Sequence, residues 1–131
     1  MTAVVATAAG LYGVDLDEET VEPWTEPAPG QAPAPPLNLP RVVAAAAAGS
    51  TVVAVVDAKP PLLVSHDAGS TWRESGRGLP AGQAVAVSAD DPDTIVYAAR
   101  NRLYVSRNGG VFWAALAVEL PEIVGVALSG S

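Results

Sequence analysis

There is no cysteine in this chain of 131 residues. Disulfides and thiolate chemistry are therefore excluded, and cysteine usage says nothing of the redox compartment. Histidine occurs once, at His66, and no metal-ligating constellation can be picked out. No glycine loop suited to cradling a phosphate is present either, since Gly109-Gly110 reads as a turn. Basic residues are scarce: seven Lys and Arg against fourteen Asp and Glu give a net charge of −7. That balance argues against nucleic acid or an anionic membrane surface as partner. Only seven aromatics supply bulk, so a core must be built mainly from Ala and Val. No apolar run approaches the roughly 18 residues of a membrane span. The opening "MTAVVATAAGLYG" lacks the basic stretch of a signal peptide, and a cytoplasmic location is the expectation.

What the chain does have is a repeat. "SHDAGSTW" (65–72) and "SRNGGVFW" (106–113) share Ser, Gly and Trp at the same offsets, 41 residues apart. Leu79-Pro80 and Leu120-Pro121 keep the same spacing, and Leu39-Pro40 marks a third copy, before "RVVAAAAAGS". Trp24 is paired with Trp113 in this alignment, at the cost of eight extra residues in the first unit. Each unit holds short runs of Val, Ile, Leu and Tyr broken by Gly, Asn, Asp and Pro, which reads as four strands. Four strands in about 41 residues is the unit of a β-propeller blade. The run "VVAAAAAG" favours helix in isolation. Its place in the repeat, matching "AVAVS" and "IVGVALS", predicts an inner strand instead.

The predicted fold is all-β, with three four-stranded blades per chain. The first blade takes its strands from 2–24 together with 123–129; a Pro-rich insertion occupies 25–38. The second blade covers about 41–78 and the third about 81–119. Because Thr2 aligns with Thr94 and Leu11-Tyr12 with Leu103-Tyr104, the chain opens at the second strand of a blade and closes with a first strand. Three blades do not make a ring, whereas propellers have about four to eight. The expectation is a homodimer in which each carboxy-terminal strand completes the partner's first blade, giving a six-bladed ring. The alternative is that the chain is a piece of a longer propeller.

The spacing Ser-x-Asp-x-Gly-x-x-Trp resembles the Asp-box, or BNR repeat, of sialidases, sortilin-type receptors and photosystem II assembly factors. Ser65, Asp67, Gly69 and Trp72 match in full; Ser106, Gly110 and Trp113 match with Asn108 in place of Asp. The first unit departs from it, and "VDLDEETVEPW" looks instead like the hairpin of quinoprotein-type repeats. In the family the motif sits on outer hairpins, away from ligands. The residues agree: a short Asp or Asn accepts hydrogen bonds from its own turn, glycine supplies positive φ, and tryptophan packs. A structural joint is the reading.

A sialidase-like enzyme would require an arginine cluster, a Tyr–Glu nucleophile pair and an acidic general acid. Most of the six arginines read as strand flanks or turns, the tyrosines fall inside strands, and His66 lies on a surface hairpin. The expected function is therefore a non-enzymatic interaction or scaffold propeller without cofactor or metal, binding a protein partner on its loop face. Candidate contacts are Lys59, Arg100, Asn101 and Arg102. The alternative is a small glycan-binding lectin; less favoured are a sialidase-like hydrolase and an engineered propeller fragment.

Overall fold

A computed structural model describes residues 1–29, 37 and 39–129. The insertion 25–38 and the final Gly130-Ser131 lie largely outside these residues. Among them no helix occurs, and so none is long and apolar enough to cross a membrane.

Twelve strands form three antiparallel sheets. The first contains β1 (Thr2–Thr7), β2 (Gly10–Asp15), β3 (Thr20–Pro23) and β12 (Ile123–Ser129), ordered β12-β1-β2-β3. The second runs β4 (Val42–Ala48), β5 (Thr51–Val56), β6 (Leu62–Ser65) and β7 (Arg73–Ser75). The third runs β8 (Ala84–Val87), β9 (Ile95–Ala99), β10 (Arg102–Ser106) and β11 (Ala114–Ala115). Each sheet is thus four strands wide, as the repeat predicts.

The alanine run of β4 is a strand because its partner supplies the bulk. Ala45, Ala46 and Ala47 pair with Ala54, Val53 and Val52, and all of β5 is buried. Tertiary pairing overrides the helical preference of alanine, which is a weak prior. The Leu, Val and Tyr of the other inner pairs alternate between faces, so each sheet offers one apolar surface to each neighbour.

Strand β8 lies against β4 and β5 of the second sheet on one side and against β12 of the first sheet on the other. The third sheet is therefore the middle of an arc. Two clusters form the core. One packs Ala3, Val5 and Val14 of the first sheet against Val96, Leu103 and Val105 of the third. The other packs Val53, Leu62 and Val64 of the second sheet against Ile95 and Tyr97 of the third. Both clusters contain the third sheet, and neither joins the first sheet to the second.

One expectation is corrected here. Strand β12 does not leave for a partner: it pairs along β1 of its own chain, from Thr2 opposite Ser129 to Thr7 opposite Ile123. The reason is a short connection. Only residues 116–122 separate β11 from β12, and they are pinned to the third sheet as they cross. Leu120 and Ile123 donate their amides to Asn101 and Arg100, and Ala8 donates to Glu122. The first sheet is complete within one polypeptide.

Candidate functional site

The two repeated hairpins are closed networks. Ser65 Oγ donates to Asp67 Oδ1 (2.7 Å) and accepts from the Gly69 amide (2.8 Å). Asp67 in turn accepts from the Thr71 amide (2.8 Å) and from the Thr71 hydroxyl (2.5 Å). Those bonds from Thr71, and then the one from Ser65, hold the Asp67 carboxyl down at about 2. In the third sheet Ser106 Oγ donates to Asn108 Oδ1 (3.0 Å) and accepts from Gly110 (2.8 Å), while Phe112 donates its amide to Asn108 (2.9 Å). Gly69 and Gly110 have φ of +92° and +91°, values that favour glycine. The Ser, Asp and Asn side chains of these motifs bond within their own turns, and a motif side chain reaches another sheet at one place.

That place is a junction between sheets. Trp113 donates Nε1–H to Ser75 Oγ (2.9 Å), and Ser75 donates to the carbonyl of Gly110 (2.5 Å). The Trp113 ring meets Tyr97 edge-on, with centroids 6.2 Å apart. Tyr97 is fully buried and donates its hydroxyl to the Pro80 carbonyl (2.6 Å), and burial raises its pKa to about 12. Trp72, the counterpart of Trp113 in the second sheet, is half-buried.

The first sheet joins the third by a different hairpin. Asp15 Oδ1 accepts from the amides of Asp17 (2.9 Å) and Glu18 (3.0 Å), and these bonds lower its pKa, Glu18 foremost. Leu16 then plugs into the core. Arg107 donates to the Leu16 carbonyl (3.2 Å) and to Asp17 (2.9 Å), and Glu19 accepts from the Ala117 amide (2.6 Å). Residue types alone did not reveal Arg107, Glu19 and Ser75 as joint-makers.

Trp24 is a second correction. It is not the counterpart of Trp113. Its amide donates to Leu11 as that of Leu116 donates to Leu103, and Ser75 stands opposite Leu62 in the same way. Trp24, Ser75 and Leu116 each follow that leucine by thirteen residues, a spacing present in the sequence. Matching by residue type hid it.

The candidate loop residues separate into two groups. Lys59 is exposed in the β5–β6 turn and lines a cavity of about 500 Å³ with Pro60, Pro61, Glu74, Arg77 and Leu79. A second cavity, about 490 Å³, flanks the same turn between Asp57 and Pro80. Arg100, Asn101 and Arg102 line neither. Arg102 is paired with Glu119 (2.9 Å), and the Arg100 and Asn101 carbonyls accept from Ile123 and Leu120. Gln83 locks this turn further: its side chain accepts from the Arg100 amide and donates to the Ile123 carbonyl (2.5 Å). The β9–β10 turn is thus largely occupied with structure, while the Lys59 turn is bordered by open space.

A third cavity, about 490 Å³, lies beside the junction of the third and first sheets, with Glu19, Arg107, Asn108 and Trp113 in its wall. Phe112 stands at its edge, 76% exposed. His66 is exposed, with Nδ1 3.4 Å from the Thr51 hydroxyl. Among the described residues no three His, Asp or Glu side chains are grouped to hold a metal ion.

No family model matches the chain, and no curated protein matches it. Among solved structures, the crystal structure of a GH74 enzyme from Niastella koreensis, a β-propeller enzyme, is similar over 91% of this chain. The TM-score is 0.52 at 24% identity. The fold is that of a β-propeller. The chain spans 18% of that enzyme's length, and at this identity the likeness speaks for the propeller architecture alone.

Proposed function

We propose that the chain is a non-enzymatic interaction propeller with Asp-box-type hairpins, and that it takes a protein partner at the Lys59 turn. The observation that carries this reading is the pair of cavities on either side of that turn. They share Lys59, Pro61 and Leu79, and between them they offer apolar walls with Lys59, Arg77 and Glu74 at the mouth. An apolar recess rimmed by charges of both signs suits the side chains of a polypeptide. The Ser, Asp and Asn side chains of the hairpins that resemble a known motif bond within their own turns, which favours a structural role for them. The test is cross-linking of cell extract with the intact chain and with Lys59→Glu/Arg77→Glu, folding being checked by circular dichroism. A specific partner captured by the first and lost by the second is expected. Identical captures by both would contradict the reading.

Phe112 favours a second reading. An exposed aromatic over a cavity between two blades, with Glu19, Arg107 and Asn108 in a largely apolar wall, is a platform on which a sugar ring can stack. Binding on a glycan array that disappears in Phe112→Ala would establish it, and a blank array would dismiss it.

A further inference from the structure

The joint between the second and third sheets consists of a seat and a plug. The seat is Leu62, Val64 and Ser75; the plug is the third sheet's hairpin, which comes so close that a Cβ on Gly110 would lie 2.9 Å from Ser75 Oγ and 3.1 Å from Val64 Cγ2. The chain carries one further copy of each half. Leu11, Gly13 and Trp24 stand on the outward face of the first sheet at the positions of Leu62, Val64 and Ser75. On the second sheet, the Ser65–Trp72 hairpin presents Gly69 at the position of Gly110.

Burial shows that neither half is filled in the way its counterpart is. Leu62 and Gly110 are buried, whereas Leu11 and Gly69 are half-exposed. Ala45 and Ala47 are half-exposed where the third sheet buries Val85 and Val87. Trp24 adds the independent signal. Its Nε1 is buried without an acceptor among the described residues, although a buried indole N–H ordinarily has one. At the corresponding position Ser75 donates to the Gly110 carbonyl.

We infer that a second copy of this chain docks on these faces, with the Gly69 hairpin of each copy seated on Gly13 and Trp24 of the other. For the Gly69 carbonyl to accept from Trp24 Nε1–H, the atoms that close this nitrogen off within one chain must shift on docking. Glycine at 13 makes room for the indole, since a Cβ there would lie 2.7 Å from Trp24 Cε3. The facing side of the second sheet is trimmed to match: Ala45, Ala47 and Ala54 stand where the third sheet has Val85, Val87 and Tyr97. A two-fold axis makes both contacts at once and leaves no seat or plug over, so assembly stops at two copies and six sheets. The inference is independent of the partner reading at Lys59.

Sedimentation velocity on the full chain at micromolar concentration tests it, with folding followed by circular dichroism. The wild type is expected at twice 13.2 kDa. Ala47→Glu, which puts a charge on the plug-bearing face, and Ala6→Arg, which puts one on the seat-bearing face, are each expected at 13.2 kDa with an unchanged spectrum. An equal mixture of the two variants restores one wild-type joint and regains part of the dimer. Trp24→Phe keeps the ring and removes only the donor, and weakens dimerisation by about tenfold. A folded wild-type monomer overturns the inference, as does a dimer indifferent to both face variants. A dimer that tolerates Trp24→Phe without loss overturns the assigned hydrogen bond.

Discussion

Asp67 in a hairpin and Ser75 in strand β7 both spend a short side chain on hydrogen bonds but differ in what they reach. Asp67 serves its own hairpin, and its carboxylate form is the one the fold favours, because Thr71 and Ser65 donate to it. Its pKa falls from 3.8 to about 2 on folding. The stability it contributes is therefore complete above about pH 4 and disappears as the pH drops toward 2. Asp67→Asn imitates the natural Asn108 and should flatten the acid limb of the stability curve in that window, as measured by urea unfolding at several pH values. An acid limb identical to that of the wild type would contradict the assignment. Ser75 instead ties two sheets together. Ser75→Ala leaves the Trp113 N–H and the Gly110 carbonyl without their partner, and is expected to cost about 1–3 kcal/mol in the same measurement. Tyr97 acts at the alkaline end: its neutral form is favoured by burial, so the stability it contributes declines as pH rises from 10 toward 12. Absorbance at the phenolate band should show one tyrosine ionising near pH 12, and Tyr97→Phe should remove that step.

At the scale of elements, most of the strands were legible because Gly, Asn, Asp and Pro punctuate them. Even the alanine run of β4 could be placed, since its position in the repeat outweighed its composition. Two things were not legible. A closing strand reads the same whether it pairs with its own chain or with another, because the ladder residues are identical in both cases. The role of Trp24 was obscured by its likeness to two other tryptophans, although thirteen residues from Leu11, Leu62 and Leu103 gave the correct partners. The polar side of the junctions was the least visible part: Arg107, Glu19 and Gln83 bond to backbone groups that no motif specifies. Strand β12 provides the test at this scale. Ile123 is buried in the core and Val124, beside it, is 64% exposed. Ile123→Ala should therefore destabilise by about 2–5 kcal/mol, while Val124→Ala should change stability by less than about 0.5 kcal/mol. Equal effects would mean that β12 is not inserted as described.

The whole molecule is an arc of three sheets in which the first is sealed by the last strand of the same polypeptide. The outward faces depend on that seal, because β12 supplies part of the surface a second copy would meet. The chain's lack of cysteine makes the seal directly measurable. Thr2 lies opposite Ser129, and the Ser129 hydroxyl donates to the Thr2 carbonyl (3.2 Å). Oxidised Thr2→Cys/Ser129→Cys should run at 13.2 kDa on a denaturing, non-reducing gel, with the cross-link inside one chain. A band at twice that mass, absent after reduction, would contradict the account by showing that β12 crosses to another copy.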